Sequence, residues 1–177
     1  TYDAIAVAFS ERRRDLCPPM RSFLDEAEAT CRVLDIGCGG GRALKAAMEL
    51  GLSVIGIDSS ANQLEEARRL IGGKADLIKA DMRRIPLPDG SADRILMIAA
   101  LHHLPDRGSR IEALREAKRL LRPGGKALIS VWTWDQDRFR ERHLTRIKGE
   151  RSLDGTDGPL PGDFLVPFLR FKPGFHH

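Results

Sequence analysis

Short apolar runs alternate with amphipathic segments over residues 32–132 of the 177-residue chain. The apolar runs are rich in branched side chains and end at glycine or aspartate, as strands buried on both faces do. The segments between them show helical spacing and end at glycine. This alternation predicts βαβ units, and hence an α/β fold with a mostly parallel sheet and helices on both faces. The predicted strands are residues 32–36, 53–57, 76–79, 94–99 and 126–132, and the predicted helices are residues 42–50, 61–71 and 108–121.

The two flanks of this core have a different pattern. Residues 2–29 are predicted to be helical, with Pro18 and Pro19 breaking the stretch. After Trp134 the chain is charged and rich in glycine and proline, with one apolar piece at residues 164–169. No further strand is predicted there.

Composition narrows the class of protein. Hydrophobic residues make up 42% and charged residues 31% of the chain, a balance typical of a globular protein. No apolar run approaches the roughly 20 residues that cross a bilayer, and residues 1–10 do not resemble a signal peptide, so no membrane association is predicted. Three cysteines (Cys17, Cys31 and Cys38) without a CxxC pair argue against a disulfide framework and a zinc site. We expect no metal and a reducing, cytoplasmic location.

The net charge and its distribution bear on the kind of partner the chain binds. The net charge is +4, with basic clusters at residues 12–14 and 138–151. Such clusters are compatible with a polyanion, although a solvated helix explains the second cluster equally well. Aromatic residues are only 6% of the chain, which argues against a base-stacking platform.

A glycine loop follows the first predicted strand, with the spacing Asp35-x-Gly37-x-Gly39-x-Gly41. Strand, glycine loop and helix together favour a nucleotide or anion, because the helix begins with unpaired N–H groups. The loop lacks the Gly-Lys-Ser/Thr of a P-loop. Arg42 stands where the dinucleotide fingerprint needs a small residue, and Asp35 would repel a pyrophosphate, so an NAD-dependent reductase is disfavoured.

Two more acidic residues end the next strands. Asp58 follows the second strand, where it can accept hydrogen bonds from ribose hydroxyls, and Asp81 with Met82 follows the third. Taken singly, Asp35 and Asp58 are equally well explained as helix-capping residues. Because the carboxyl ends of parallel strands meet at one edge, three such acids favour a single bound ligand.

The loop with its acidic partners resembles the S-adenosylmethionine loop of class I methyltransferases. The resemblance implies a Rossmann-like class I methyltransferase fold with S-adenosylmethionine as cofactor. It places Asp58 at the ribose and Asp81 with Met82 at the adenine. The implied cofactor-binding residues are Asp35, Gly37, Gly39, Gly41, Asp58, Ser59, Asp81, Met82 and Ala99.

Two further segments point to an acceptor. The first is Tyr2-Asp3-x-Ile5-Ala6-x-x-Phe9-Ser10-x-x-Arg13, and the second is Ile98-Ala99-Ala100-Leu101-His102-His103-Leu104. Together they resemble the tRNA wobble-uridine carboxymethyl methyltransferase family, which includes the methyltransferase domain of an AlkB-like tRNA hydroxylase. Asp163-Phe164-Leu165-Val166-Pro167-Phe168 is similar to a late segment of that family, with Phe168 where tryptophan is usual. Cys17 replaces an aromatic residue before Pro18, which weakens the expectation of base stacking there.

This second resemblance implies transfer of a methyl group to the carboxylate of 5-carboxymethyluridine in tRNA. It also implies two partners, tRNA and a small zinc-binding activator protein, and places the last strands of the sheet beyond this chain. We therefore treat residues 1–177 as a single methyltransferase domain. Its parts are an N-terminal segment at residues 1–31, a cofactor-binding core at residues 32–134 and a substrate-side insertion at residues 135–177.

The predicted catalytic residues are Arg13 and His103. Arg13 can hold the acceptor carboxylate bidentately, and His103 can hydrogen-bond the carboxylate or the uracil. The alternatives are a surface charge for Arg13 and a packing role for one member of the His102–His103 pair. A small-molecule methyltransferase and a non-catalytic S-adenosylmethionine-binding subunit remain open as alternative functions.

Overall fold

The computed structural model describes residues 18–131 and two short strands farther along the chain. The main sheet contains β1 Arg32–Ile36, β2 Ser53–Asp58, β3 Asp76–Lys79, β4 Ala92–Ile98 and β5 Leu121–Ser130. The helices are α1 Pro18–Asp25, α2 Arg42–Glu49, α3 Ala61–Ile71 and α4 Arg107–Leu120, with a 3-10 turn at Leu101–His103. The two short strands, β6 Thr145–Arg146 and β7 Phe164–Leu165, pair antiparallel with each other. None of the described helices has the length and apolar character needed to span a membrane.

The order of strands in the main sheet is β3-β2-β1-β4-β5, and every neighbouring pair is parallel. The chain moves outward from β1 to β3 and then returns to the other side of β1 with β4. This reversal opens a crevice beside the carboxyl end of β1, the usual ligand site of such sheets. The predicted α/β class and Rossmann-like topology are confirmed.

Helices cover both faces of the sheet, as predicted. On one face, buried residues of α1, α2 and α3 pack with Val33 and Val54. On the other face, Ala113, Ala117 and Leu120 of α4 pack against Leu34 and Ile95. Neighbouring residues Val33 and Leu34 belong to opposite faces because side chains alternate along a strand. The central strands are buried on both sides, which explains their continuous apolar sequence.

Several boundaries differ from the predicted ones, most of them by one or two residues. Helix α1 begins at Pro18, where the prolines were predicted to break the helical stretch, because a proline in the first helical turn loses no hydrogen bond. Strand β5 begins at Leu121, not at Lys126, because Leu121 already pairs with Ala92. The register then jumps to Arg94 and Lys126, so Pro123-Gly124-Gly125 forms an irregularity within the strand instead of a separate loop.

Arg94 attaches α1 to the sheet. Its guanidinium is largely buried and donates to the backbone carbonyls of Phe23 (2.5 Å) and Glu26 (2.6 Å). The same group lies 4.8 Å from the centre of the Phe23 ring. A charged side chain on a central strand therefore caps the carboxyl end of α1, where cations are favoured.

Replacing Arg94 with methionine tests this attachment. Arg94→Met keeps the aliphatic stem but leaves two carbonyls without their charged donor, so we expect a loss of about 2–3 kcal/mol in unfolding free energy. Urea denaturation followed by circular dichroism measures it. Arg32→Met is the matched control, because within residues 18–131 the exposed Arg32 side chain makes only a 3.5 Å contact with the Ser91 carbonyl. Equal stability of the two variants would contradict the attachment.

Candidate functional site

A cleft of about 150 Å³ lies at the carboxyl ends of the strands, beside the reversal in strand order. The loops that follow β1, β2, β3 and β4 all contribute to its walls. Most of the predicted cofactor residues and one predicted catalytic residue line it. These are Asp35, Gly37, Gly39, Asp58, Ser59, Met82, Ala99 and His103.

The Asp58 carboxylate joins two walls of the cleft. One oxygen accepts the backbone N–H of Gly39 and the other accepts that of Ser60, each at 2.9 Å. Ser60, and not Ser59, then caps α3, since its hydroxyl oxygen accepts the backbone N–H of Gln63 at 3.1 Å. Ser59 stays exposed at the rim of the cleft. Asp58 is thus oriented by backbone donors, and its remaining lone pairs can accept ribose hydroxyls.

Glycines at two loop positions allow close packing that another residue would prevent. Gly37 has φ +78°, and a Cβ there would come within 2.5 Å of the Ala100 Cβ. Gly41 has φ +80°, and a Cβ there would meet the Ala67 Cβ at 2.9 Å. Gly41 does not line the cleft; it lets α2 approach α3 closely. The first glycine shapes the ligand cleft, whereas the third serves helix packing.

Asp35 is a buried acid at the bottom of the cleft, with only 3% of its surface exposed. Burial, and secondarily the charge of Asp58, raises the pKa of Asp35 to about 7, while Arg42 opposes the shift. A carboxyl group in this position favours a positively charged ligand, which would restore the ionised form. This electrostatic preference agrees with the expectation from sequence that Asp35 disfavours a pyrophosphate.

Asp81 and Met82 do not both face the cleft. Met82 lines the cleft, but Asp81 does not. The Asp81 carboxylate instead bonds the guanidinium of Arg83, at 2.6 Å for the shortest contact, and accepts the Arg83 backbone N–H at 2.9 Å. This pairing lowers the pKa of Asp81. The predicted contact of Asp81 with adenine stays a prediction.

The end of β4 forms the opposite wall. Ala99 has φ +53°, which is unusual for a residue with a side chain, and its N–H is held by the Ser130 carbonyl at 3.0 Å. His103 lines the cleft and is exposed, so it lies at the mouth. Although the residue is exposed, the cleft wall partly shields its ring from water, and this desolvation lowers the pKa of His103. A hydrogen bond to the Ala99 backbone partly opposes the shift. His102 is not among the lining residues, so His103 is the member of the pair that faces the cleft.

Several lining residues were not predicted from sequence, notably Met20, Arg42, Gln63 and Ala80. For Gln63 a signal existed: it precedes Ala67 and Ile71 by four and eight residues, so it is a polar residue on the buried face of α3. For Met20 no local signal existed. Arg13 and the segment around Phe9 lie outside the described residues, as does the basic cluster at residues 138–151 apart from strand β6.

The side chains that line the cleft fit a sulfonium nucleoside. A buried carboxyl suits its cationic part, and the oriented Asp58 carboxylate suits its ribose. The positive-φ glycines leave room for close approach of a ligand to the backbone.

Comparison with known proteins identifies the family. Residues 34–129 match the model of a methyltransferase domain. The chain therefore belongs to the methyltransferase domain family. The matched residues run from the middle of β1 almost to the end of β5 and contain the whole glycine loop. The sequence prediction of a class I methyltransferase with S-adenosylmethionine as cofactor is confirmed.

Two relatives and one solved structure show which proteins this chain is similar to. The tRNA (carboxymethyluridine(34)-5-O)-methyltransferase ALKBH8 of Macaca fascicularis is 35% identical over 93% of this chain and 24% of that protein. The tRNA (carboxymethyluridine(34)-5-O)-methyltransferase of Schizosaccharomyces pombe is 32% identical over 95% of this chain and 65% of its own length. The chain thus spans about a quarter of the first relative. A solved SAM-dependent methyltransferase from Methanosarcina mazei is 27% identical, with a TM-score of 0.62, over 72% of this chain and 64% of that one.

Cofactor binding is expected to depend on the ionisation of Asp35. Below its raised pKa the carboxyl is protonated and neutral, so affinity for the cationic cofactor should rise about tenfold from roughly pH 6 to pH 8. Calorimetric titration with S-adenosylmethionine across this range measures the slope. A flat profile would contradict the electrostatic role of Asp35.

The Asp35→Asn variant is the control. Its affinity should be weaker and independent of pH in this range. Because the pKa of Asp35 is higher in the folded than in the unfolded chain, the carboxyl stabilises the fold at low pH, and this stability is lost as pH rises through about 7. The variant without ligand should therefore be more stable than the wild type near pH 8, by about 1–4 kcal/mol.

Proposed function

We propose that this chain transfers the methyl group of S-adenosylmethionine to the carboxylate of 5-carboxymethyluridine at the tRNA wobble position. Relatives named as tRNA carboxymethyluridine methyltransferases, aligned over more than nine-tenths of the chain, support the acceptor. The observation that carries the proposal in the structure is the cleft, where Asp35 and Asp58 flank the glycine loop and His103 stands at the mouth.

The reaction needs little acid–base chemistry. A carboxylate is already ionised at neutral pH, so no general base is required. When bound, the cofactor supplies a methyl group on a positively charged sulfur. One carboxylate oxygen forms a bond to the methyl carbon while the sulfur–carbon bond breaks, giving a methyl ester and the neutral thioether. The protein must exclude water from the carboxylate and hold it in line with that bond.

His103 and Arg13 would hold the acceptor. The lowered pKa keeps His103 neutral near pH 7, and one ring nitrogen is engaged with the Ala99 backbone. The other nitrogen of a neutral ring is an acceptor. His103 is thus better suited to receive the N3–H of the uracil than to contact the carboxylate. Holding the carboxylate is the role proposed for Arg13, whose guanidinium matches a carboxylate bidentately.

The proposal also includes a location in the cell and one protein partner. We propose a cytoplasmic location, in line with the odd number of cysteines and with the free, buried thiols of Cys31 and Cys38. We also propose a small zinc-binding activator protein as partner, which the family resemblance implies. Within the described residues β3 and β5 each end the main sheet, and Ile129 and Val131 are exposed beside that second edge.

Nucleoside mass spectrometry tests the acceptor. Transfer RNA carrying 5-carboxymethyluridine is incubated with S-adenosylmethionine and the chain, with and without the activator, and then digested. We expect the carboxymethyl nucleoside to gain one CH₂ group. Methylation of small carboxylic acids but not of tRNA would favour a small-molecule methyltransferase. Cofactor binding without transfer in any arm would favour a non-catalytic subunit.

Replacing His103 tests the substrate side of the cleft. His103→Ala should lower kcat/KM for tRNA about tenfold or more by removing an acceptor at the cleft mouth. The affinity for S-adenosylmethionine should stay within about twofold, because the cofactor residues are untouched. His102→Gln is the matched control and should retain activity. Equal losses for both variants would show that the pair acts only in packing.

A further inference from the structure

Gln63 is a polar side chain buried behind the glycine loop. Only 1% of the residue is exposed, and neither its Nε2 nor its Oε1 has a hydrogen-bond partner among the described residues. Leaving a carboxamide unpaired in the interior costs about 1–3 kcal/mol. The fold bears this cost at a position on the cleft wall, where an aliphatic side chain would pack without penalty.

The carboxamide lies directly behind Gly39. A Cβ built on Gly39 would be 3.6 Å from the Gln63 Oε1, and Gly39 has φ +52°. The N–H of Gly39 is bound to Asp58, whereas its carbonyl receives only a 3.7 Å contact from the Cys38 thiol within the described residues. Oε1 is therefore the carboxamide atom nearest Gly39, and a half-turn of the amide about its last torsion exchanges the places of Oε1 and Nε2.

Gln63 is also connected to Asp58 through Ser60 at the start of α3. Its backbone N–H is held by Ser60, whose own N–H is held by Asp58. Asp58 thus sets the positions of both the Gly39 peptide and the helical turn that carries Gln63. A ligand that engages the Asp58 carboxylate competes for the oxygens that hold the Gly39 and Ser60 N–H groups.

We propose that Gln63 is a positioning residue for cofactor binding, whose carboxamide Nε2 donates to the Gly39 carbonyl when S-adenosylmethionine occupies the cleft. Neither polar atom is accessible to a water molecule, so the ligand reaches neither of them directly. Gln63 acts through the glycine loop, and the pairing gained on binding contributes to affinity. This inference depends on the proposed cofactor and not on the proposed acceptor.

The first test separates stability from affinity. Gln63→Met keeps the length of the side chain and removes both polar atoms. Without ligand its unfolding midpoint should equal or exceed that of the wild type, while its dissociation constant for S-adenosylmethionine should rise about fivefold to tenfold. Ile71→Met, on the same buried face of α3 but away from the cleft, is the control and should bind like the wild type.

Two results would overturn the inference. Unchanged affinity in Gln63→Met would show that the carboxamide gains nothing on binding. Parallel losses of stability and affinity would show an ordinary structural role. Failure of the wild-type chain to bind S-adenosylmethionine would overturn the cofactor itself, which separates that failure from the failure of the Gln63 inference.

A second test uses the wild-type chain and needs no variant to fold. Its sequence contains one asparagine, Asn62, and two glutamines, Gln63 and Gln136, so a ¹⁵N spectrum contains three side-chain amide pairs. On saturation with S-adenosylmethionine the Gln63 pair should move downfield and exchange more slowly with solvent. A Gln63 pair that stays in place while the Gly39 backbone N–H shifts would overturn the proposal.

Discussion

The cleft depends on one carboxylate that holds two backbone segments together. Asp58 accepts the N–H of Gly39 from the loop after β1 and the N–H of Ser60 at the start of α3. Without these bonds the loop and the helix would each have a buried or half-buried donor to satisfy elsewhere. Because both oxygens are oriented by the backbone, the acid is ready to accept hydroxyl groups without rearranging its own side chain.

Asp35 adds an electrostatic constraint of a different kind. An acid almost fully enclosed at the end of β1 is costly to ionise, and the neighbouring charge of Asp58 increases that cost. The two acids therefore disfavour each other's charge until a cation arrives between the loop and the strands. This arrangement selects against pyrophosphate ligands, which the same topology accommodates when the strand-end acid is absent.

The chemistry asked of such a cleft is mainly alignment. Methyl transfer to a carboxylate needs no proton removed, so the protein contributes positioning and exclusion of water. The wall formed by the end of β4 suits this task, because the strained Ala99 backbone is anchored to Ser130 and in turn engages His103. The wall at the end of β4 and the junction around Asp58 thus offer separate sets of contacts within one cleft.

Much of this could be predicted from the sequence. The alternation of apolar runs predicted the parallel sheet, and the spacing of Asp35, Gly37, Gly39 and Asp58 predicted residues that line one cleft, because both patterns are local. Tertiary contacts decided the rest. The start of β5 depends on the pairing of Leu121 with Ala92, a residue of the neighbouring strand. The Asp81 carboxylate, in contrast, pairs with Arg83, its close neighbour in sequence. The roles of Met20 and Gln63 arise only when helices distant in sequence close over the loop, since burial is a property of the packed chain and not of any segment.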